Sequence, residues 1–152
     1  GRSALLLSKA KDNNASCALG PFIRFFDDTF SIEDVKSMDI TLEVEHADGF
    51  HLKGASNMRK ISRSPESLAK ATLNRHQQYP DRFVLFCGTV FAPTQEQREK
   101  GQGFTHKHGD HVSVANPKLG ALINTVRSTD QCPPWEFGAS HLMRNLAGRG
   151  LL

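Results

Sequence analysis

Asp39-Ile40-Thr41-Leu42-Glu43-Val44-Glu45 alternates polar and apolar side chains and leads directly to Ala47-Asp48-Gly49. A period of two places Ile40, Leu42 and Val44 on one face of a strand and Thr41, Glu43 and Glu45 on the other. Asp-Gly accepts the positive φ of a tight turn, so the chain is expected to fold back on itself. Phe50 and Leu52 then begin a return strand expected to end near Gly54. A chain that commits this many residues to a half-buried hairpin points to antiparallel sheet.

The rest of the sequence repeats that pattern. His111-Val112-Ser113-Val114 alternates, Asn116-Pro117-Lys118 turns, and Leu119 to Val126 returns. Phe83-Val84-Leu85-Phe86-Cys87 is a continuous apolar run, which predicts a strand buried on both faces. Ser31 is placed to cap a single helical turn. Ser64-Pro65-Glu66 starts a longer helix, with a cap, a tolerated proline and an acid at the positive end of the dipole. Its apolar face is Leu68, Ala71 and Thr72, and Tyr79-Pro80-Asp81 is expected to end it. Thr94 to Gly103 is polar and bounded by glycine, the composition of an exposed loop. After Pro133-Pro134 a short amphipathic helix carries Leu142, Met143 and Leu146, with Gly148 as its stop. Hairpins dominate and βαβ alternation is absent. The expected class is therefore mostly β with a few helices (α+β), a mixed, curled or barrel-like sheet.

At 152 residues and 38% hydrophobic content the chain suits one globular domain, residues 1–152, with a β core over 1–127 and a tail over 128–152. It needs no disulfides, and its three cysteines form no paired motif, so reduced thiols in a cytoplasmic protein are expected. No apolar run approaches the ~20 residues of a membrane span, and no signal peptide is evident. Nineteen Lys+Arg against sixteen Asp+Glu are interspersed, with one Trp and one Tyr, which gives no footing for nucleic-acid binding. The chain opens on Gly1 with its first methionine at Met38, so it reads as a processed product, a truncated one, or a gene product preceded by vector residues.

Four groups of residues could carry chemistry. His106-Lys107-His108-Gly109-Asp110-His111 matches the H-x-H-x-D-H pattern of metallo-β-lactamase-like zinc hydrolases, with only Asp130 and His141 downstream as further ligands. The plainer reading is a Gly109-Asp110 turn with partly exposed histidines. Glu43 and Glu45 share a strand face and could hold Mg²⁺ or Ca²⁺, or be the solvated face of a hairpin. Lys11 could neutralise an enolate oxygen, or be an ordinary surface lysine. Gly88-Thr89, at the end of the apolar run, is a common position for ligand contact, and also simple turn chemistry.

Taken in order, several segments resemble the C-terminal catalytic domain of the fumarylacetoacetate hydrolase family. Lys11 stands eight residues before Leu19-Gly20-Pro21. The hairpin from Asp39 reaches Ser56-Asn57-Met58, and a helix is expected from Ser64 to Gln77. Cys87-Gly88-Thr89 follows the apolar run. Gly103-Phe104, Gly109-Asp110-x-Val112 and Leu119-Gly120-x-Leu122-x-Asn124 close the series. The match spans about residues 4–127, and Cys132-Pro133-Pro134-Trp135-Glu136-Phe137-Gly138 looks closest to the sugar-acid branch.

The resemblance implies a β-roll of mixed sheets and a homodimer. It implies an enzyme in which Mg²⁺ or Ca²⁺ polarises a 2-oxo acid, such as an acylpyruvate or a 2-keto-3-deoxy sugar acid, for hydrolysis or dehydration. Lys11 would be the catalytic lysine, with Gly88 and Thr89 contacting substrate. The family's metal carboxylates precede that lysine, so they are expected to be missing from this chain. Glu43 and Glu45 fall in the later hairpin, and Ser113 stands where some members carry a glutamate base. The chain as given would then be a truncated, inactive or partner-completed version of such an enzyme. The alternatives are a non-catalytic dimeric remnant or binding module of the same fold, and a zinc hydrolase using His106, His108 and His111. Neither nucleic acid nor membrane is an expected partner.

Overall fold

The structure, a computed structural model, describes residues 13–88, 91–97, 99–101 and 103–152. In chain order its elements are α1 (Ile32–Lys36), β1 (Asp39–Glu45), β2 (His51–Asn57), α2 (Pro65–Thr72), β3 (His111–Asn116), β4 (Gly120–Thr125) and α3 (Ala139–Gly148). Two single 3-10 turns, Met58–Lys60 and Thr129–Gln131, complete the set. They fall into two compact units. One is Leu19–Val126, and the other comprises the chain's two ends, of which 13–18 and 127–152 are described.

The larger unit is built on a four-stranded antiparallel sheet in the order β2-β1-β3-β4. The alternation in β1 sets its register. Val44 faces Leu52 of β2 on one side and Val112 of β3 on the other, and Leu42 faces Gly54 and Val114. Leu122 of β4 extends the same face beside Val114. Val44 and Leu52 are buried there, and Phe30 and Met38, which flank α1 in the chain, are buried as well. Burial of each such side chain stabilises by about 1.5–3 kcal/mol.

The turn between β1 and β2 is the expected one. Gly49 has φ +90, its N–H donates to His46 O at 3.0 Å, and Asp48 Oδ1 accepts from Phe50 N–H at 3.0 Å. The return strand runs to Asn57, three residues beyond the expected end at Gly54. Gly54 has a packing reason: a Cβ there would overlap Cε1, Cζ and Cδ1 of the Phe91 ring. Phe91 thus sits so close to β2 at position 54 that any side chain there would push it away.

Both helix starts expected in this unit form. Asp34 of α1 accepts from the Ser31 N–H at 2.7 Å, and Ser64 Oγ of α2 accepts from Ser67 N–H at 3.2 Å. Helix α2 ends at Thr72, well before Tyr79. The cause is Asn74, whose Oδ1 accepts from His76 N–H at 2.9 Å. That local turn competes with helical hydrogen bonding.

The run Phe83-Val84-Leu85-Phe86-Cys87 is a correction to the sequence reading. It forms no strand, and Val84 and Phe86 are 66% and 65% exposed. An apolar run specifies a buried strand only where a neighbouring strand accepts its hydrogen bonds, and no described strand pairs with it.

The smaller unit contains the 3-10 turn and α3. Trp135 Nε1–H donates to Phe137 O at 2.7 Å just before the helix. Helix α3 ends at Gly148, as expected, and its left-handed cap residue is Gly150. Gly150, at φ +67, donates to Ala147 O and Leu151 donates to Leu146 O, each at 3.0 Å. This is the Schellman arrangement, which needs a residue tolerant of left-handed backbone.

The described residues thus combine three helices with a four-stranded sheet, in keeping with the expected α+β class, and every strand pairing in that sheet is antiparallel. No helix among the described residues is long and apolar enough to cross a membrane.

Candidate functional site

The apolar face of the sheet is covered at the Val44 end and open at the Ile40 end. A cavity of about 260 Å³ lies over it, walled by Ile40, Leu42 and Val114 of the strands, by Ser56 and Met58, and by Gly88 and Phe91. Gly88 adopts φ +81, a backbone conformation natural to glycine. A second recess of about 200 Å³ shares Ile40 and Val114 and is closed by Phe22 and Leu119. Of the expected substrate-binding residues, Gly88 lies on the wall of the larger cavity. Lys11 and Thr89 lie outside the described residues.

The walls of the larger cavity carry one hydroxyl, Ser56, and no charge among the described lining residues. Such a space suits the apolar part of a small ligand with few polar contacts. It does not fit a divalent cation, which demands carboxylate or carbonyl oxygens. The pleat explains why. Ile40 and Leu42 point into the cavity, so Glu43 and Glu45 necessarily point away on the opposite face.

On that opposite face, Glu43, Glu45 and His51 bring one ligand atom each within 4.8 Å of one another. Glu45 and His51 are register partners, and Glu43 is one pleat repeat away. Glu45 and His51 are exposed, Glu43 is half-buried, and all three are already engaged. Lys53 Nζ lies 3.2 Å from Glu43, and His51 Nε2 lies 3.7 Å from Glu45. This is the solvated face of the hairpin, remote from the cavity side of the sheet.

The histidine motif is organised around its aspartate. Asp110 is fully buried. Its Oδ1 accepts from Gln97 Nε2–H at 2.7 Å and pairs with His46 Nδ1 at 2.8 Å. Its Oδ2 accepts from Lys107 N–H at 3.0 Å and pairs with His106 Nδ1 at 3.1 Å. With an ionised carboxylate, both imidazoles must carry their proton on Nδ1. Burial pushes the Asp110 carboxyl up, but the donors from Lys107, Gln97, His106 and His46 outweigh it and hold the group below the ordinary carboxylate range. Lys107 Nζ also pairs with Asp48 Oδ2 at 2.8 Å, which ties the β1–β2 turn to the same loop.

His108 is exposed, and His111 Nδ1 meets Thr125 Oγ1 at 3.2 Å. Among the described residues His106, His108 and His111 do not converge as a set of ligands. His141 accepts from Gly138 N–H at 3.3 Å in the smaller unit, and Asp130 sits exposed on a turn. Ser113, on β3, faces Glu43 of β1 and Ile123 of β4, on the solvated side.

Two residues of the Asp110 cluster, His46 and Gln97, gave no sequence signal. The β1–β3 register, Glu45 opposite His111, brings position 46 beside position 110. That pairing joins residues more than sixty apart and cannot be read from local periodicity.

Compared with known proteins, the chain matches no family model, no curated protein and no solved structure.

Proposed function

We propose that this chain is a β-roll of the fumarylacetoacetate hydrolase type that holds a small 2-oxo acid over the apolar face of its sheet. The observation that carries the reading is the cavity between Ile40, Leu42, Val114 and Gly88. Gly88 belongs to the Gly-Thr pair that the resemblance assigns to substrate contact. The apolar walls would take the carbon chain of an acylpyruvate or a deoxy sugar acid. Lys11 would neutralise the oxyanion, and Thr89 would bond the carboxylate. A homodimer in the cytoplasm belongs to the same proposal.

The lining supports binding more than metal-dependent turnover. With no carboxylate on the described cavity wall, Mg²⁺ or Ca²⁺ has no ligand there, and a non-catalytic binding module of this fold is the second reading. One experiment separates the two. The chain is incubated with an acylpyruvate and with a 2-keto-3-deoxy sugar acid, with and without Mg²⁺, and both binding and product are followed. Turnover that requires Mg²⁺ and is abolished in Lys11→Ala supports the enzyme. Saturable binding without product supports the module. Absence of binding to either compound refutes both.

A further inference from the structure

Residues 19–26, Leu-Gly-Pro-Phe-Ile-Arg-Phe-Phe, present an unusual combination. No backbone hydrogen bond joins them to the backbone of any other described residue. Their large side chains are nevertheless apolar and open: Leu19 is 65% exposed, Phe22 77%, Ile23 81%, Phe25 70% and Phe26 61%. Singly exposed apolar residues are ordinary, but five within eight residues form a patch of the kind that marks an interaction surface.

The segment is held at both ends by its own unit. Phe22 and Gly120, at the start of β4, line the same recess, and Phe26 meets the buried Phe30 with ring centroids 5.7 Å apart. Its one charge is satisfied internally. Arg24 pairs with Asp27 at 3.0 Å, donates to Thr29 Oγ1 at 2.5 Å and lies over the Phe30 ring at 5.5 Å. The patch therefore asks for no oppositely charged partner.

We propose that residues 19–26 are the contact surface for a second copy of this chain. The two copies of the segment would pair antiparallel about a twofold axis. The size of the patch supports this occupant. Five such side chains at these exposures offer roughly 700 Å² of apolar surface, close to the ~800 Å² that one partner contributes to a standard interface. A neutral apolar patch is self-complementary, as a twofold contact requires. Antiparallel pairing also gives the open N–H and C=O groups partners in both copies. This deepens the dimer part of the function proposed above by naming the surface, and it does not depend on the cavity.

The test is sedimentation equilibrium of the full chain across micromolar concentrations, beside Ile23→Asp and Phe25→Asp. Both side chains are exposed, so neither change removes a buried contact. Phe86→Asp, another exposed apolar position, serves as control. The wild type and Phe86→Asp are expected to dimerise alike, and each segment variant to dissociate about 30-fold more readily. Amide exchange over 22–26 should slow as concentration rises. A monomeric wild type, or a dimer indifferent to both segment variants, overturns the proposal. Attachment of a monomer to lipid vesicles overturns it as well. Binding of an acylpyruvate is read in parallel on the same variants. In the wild type, a dimer that binds no acylpyruvate counts against the cavity alone, and a monomer that binds acylpyruvate counts against this surface alone.

Discussion

Asp110→Ala is the substitution whose cost follows most directly from the geometry. It strips the acceptor from four donors at once: Gln97 Nε2–H, His46 Nδ1–H, His106 Nδ1–H and the Lys107 N–H. Hydrogen bonds to a charged acceptor contribute about 1.5–3 kcal/mol each, and a donor left buried without a partner forfeits its solvation. His106 is 42% exposed at its side chain and finds water, whereas Gln97 is 6% exposed and does not. The expected loss is about 3–5 kcal/mol, a large part of the ~5–15 kcal/mol that holds a domain of this kind. Urea unfolding should show the midpoint falling at unchanged slope. Asp110→Asn keeps the shape and loses the charge, and should cost about half as much. The pH dependence has a definite sign. A carboxyl held below its ordinary value contributes stability that is fully present above that value, 3.8, and is lost as pH falls through the lowered one. The gap between wild type and Asp110→Asn should therefore be constant near neutral pH and close in strong acid. A penalty below about 1 kcal/mol for Asp110→Ala would refute the claim that this carboxylate organises the loop.

Three further outcomes follow from local contacts. Gly54→Ala forces a methyl group into the Phe91 ring and should cost about 1–3 kcal/mol by thermal unfolding, with part recovered in the double variant Gly54→Ala/Phe91→Leu. Ser64→Ala removes the cap of α2 and should lower stability by about 1 kcal/mol in the same assay. Lys118 donates to Asp34 and, with the Ser31 bonds, holds that carboxyl at about 2. Lys118→Ala should move it up toward 3.8 in a carboxylate titration followed by NMR, and an unchanged value would contradict the pairing.

What could be read from the residues was what depends on near neighbours. The alternation of β1, the Asp48-Gly49 turn and the Ser64 cap each rest on contacts a few residues apart, and each is present. Where reading failed, a competing local bond or a distant partner decided. Asn74 ends α2 early because its side chain offers the backbone an alternative turn. Phe83 to Cys87 looks like a buried strand only if another strand lies beside it. The histidine motif suggested ligands because spacing alone cannot show that Asp110 points inward and draws His46 from the far side of β1. The Gly88 corner was legible as a candidate contact, whereas the cavity it faces depends on how Ile40, Ser56 and Val114 come together across three strands.

What enters that cavity decides whether this sheet holds an oxo acid. A backbone-amide NMR titration of the full chain with an acylpyruvate should shift the resonances of Gly88, Ser56 and Val114 saturably, while those of Glu43 and Glu45 on the opposite face stay in place. If millimolar ligand leaves Gly88, Ser56 and Val114 unmoved, the oxo-acid reading of this sheet is wrong.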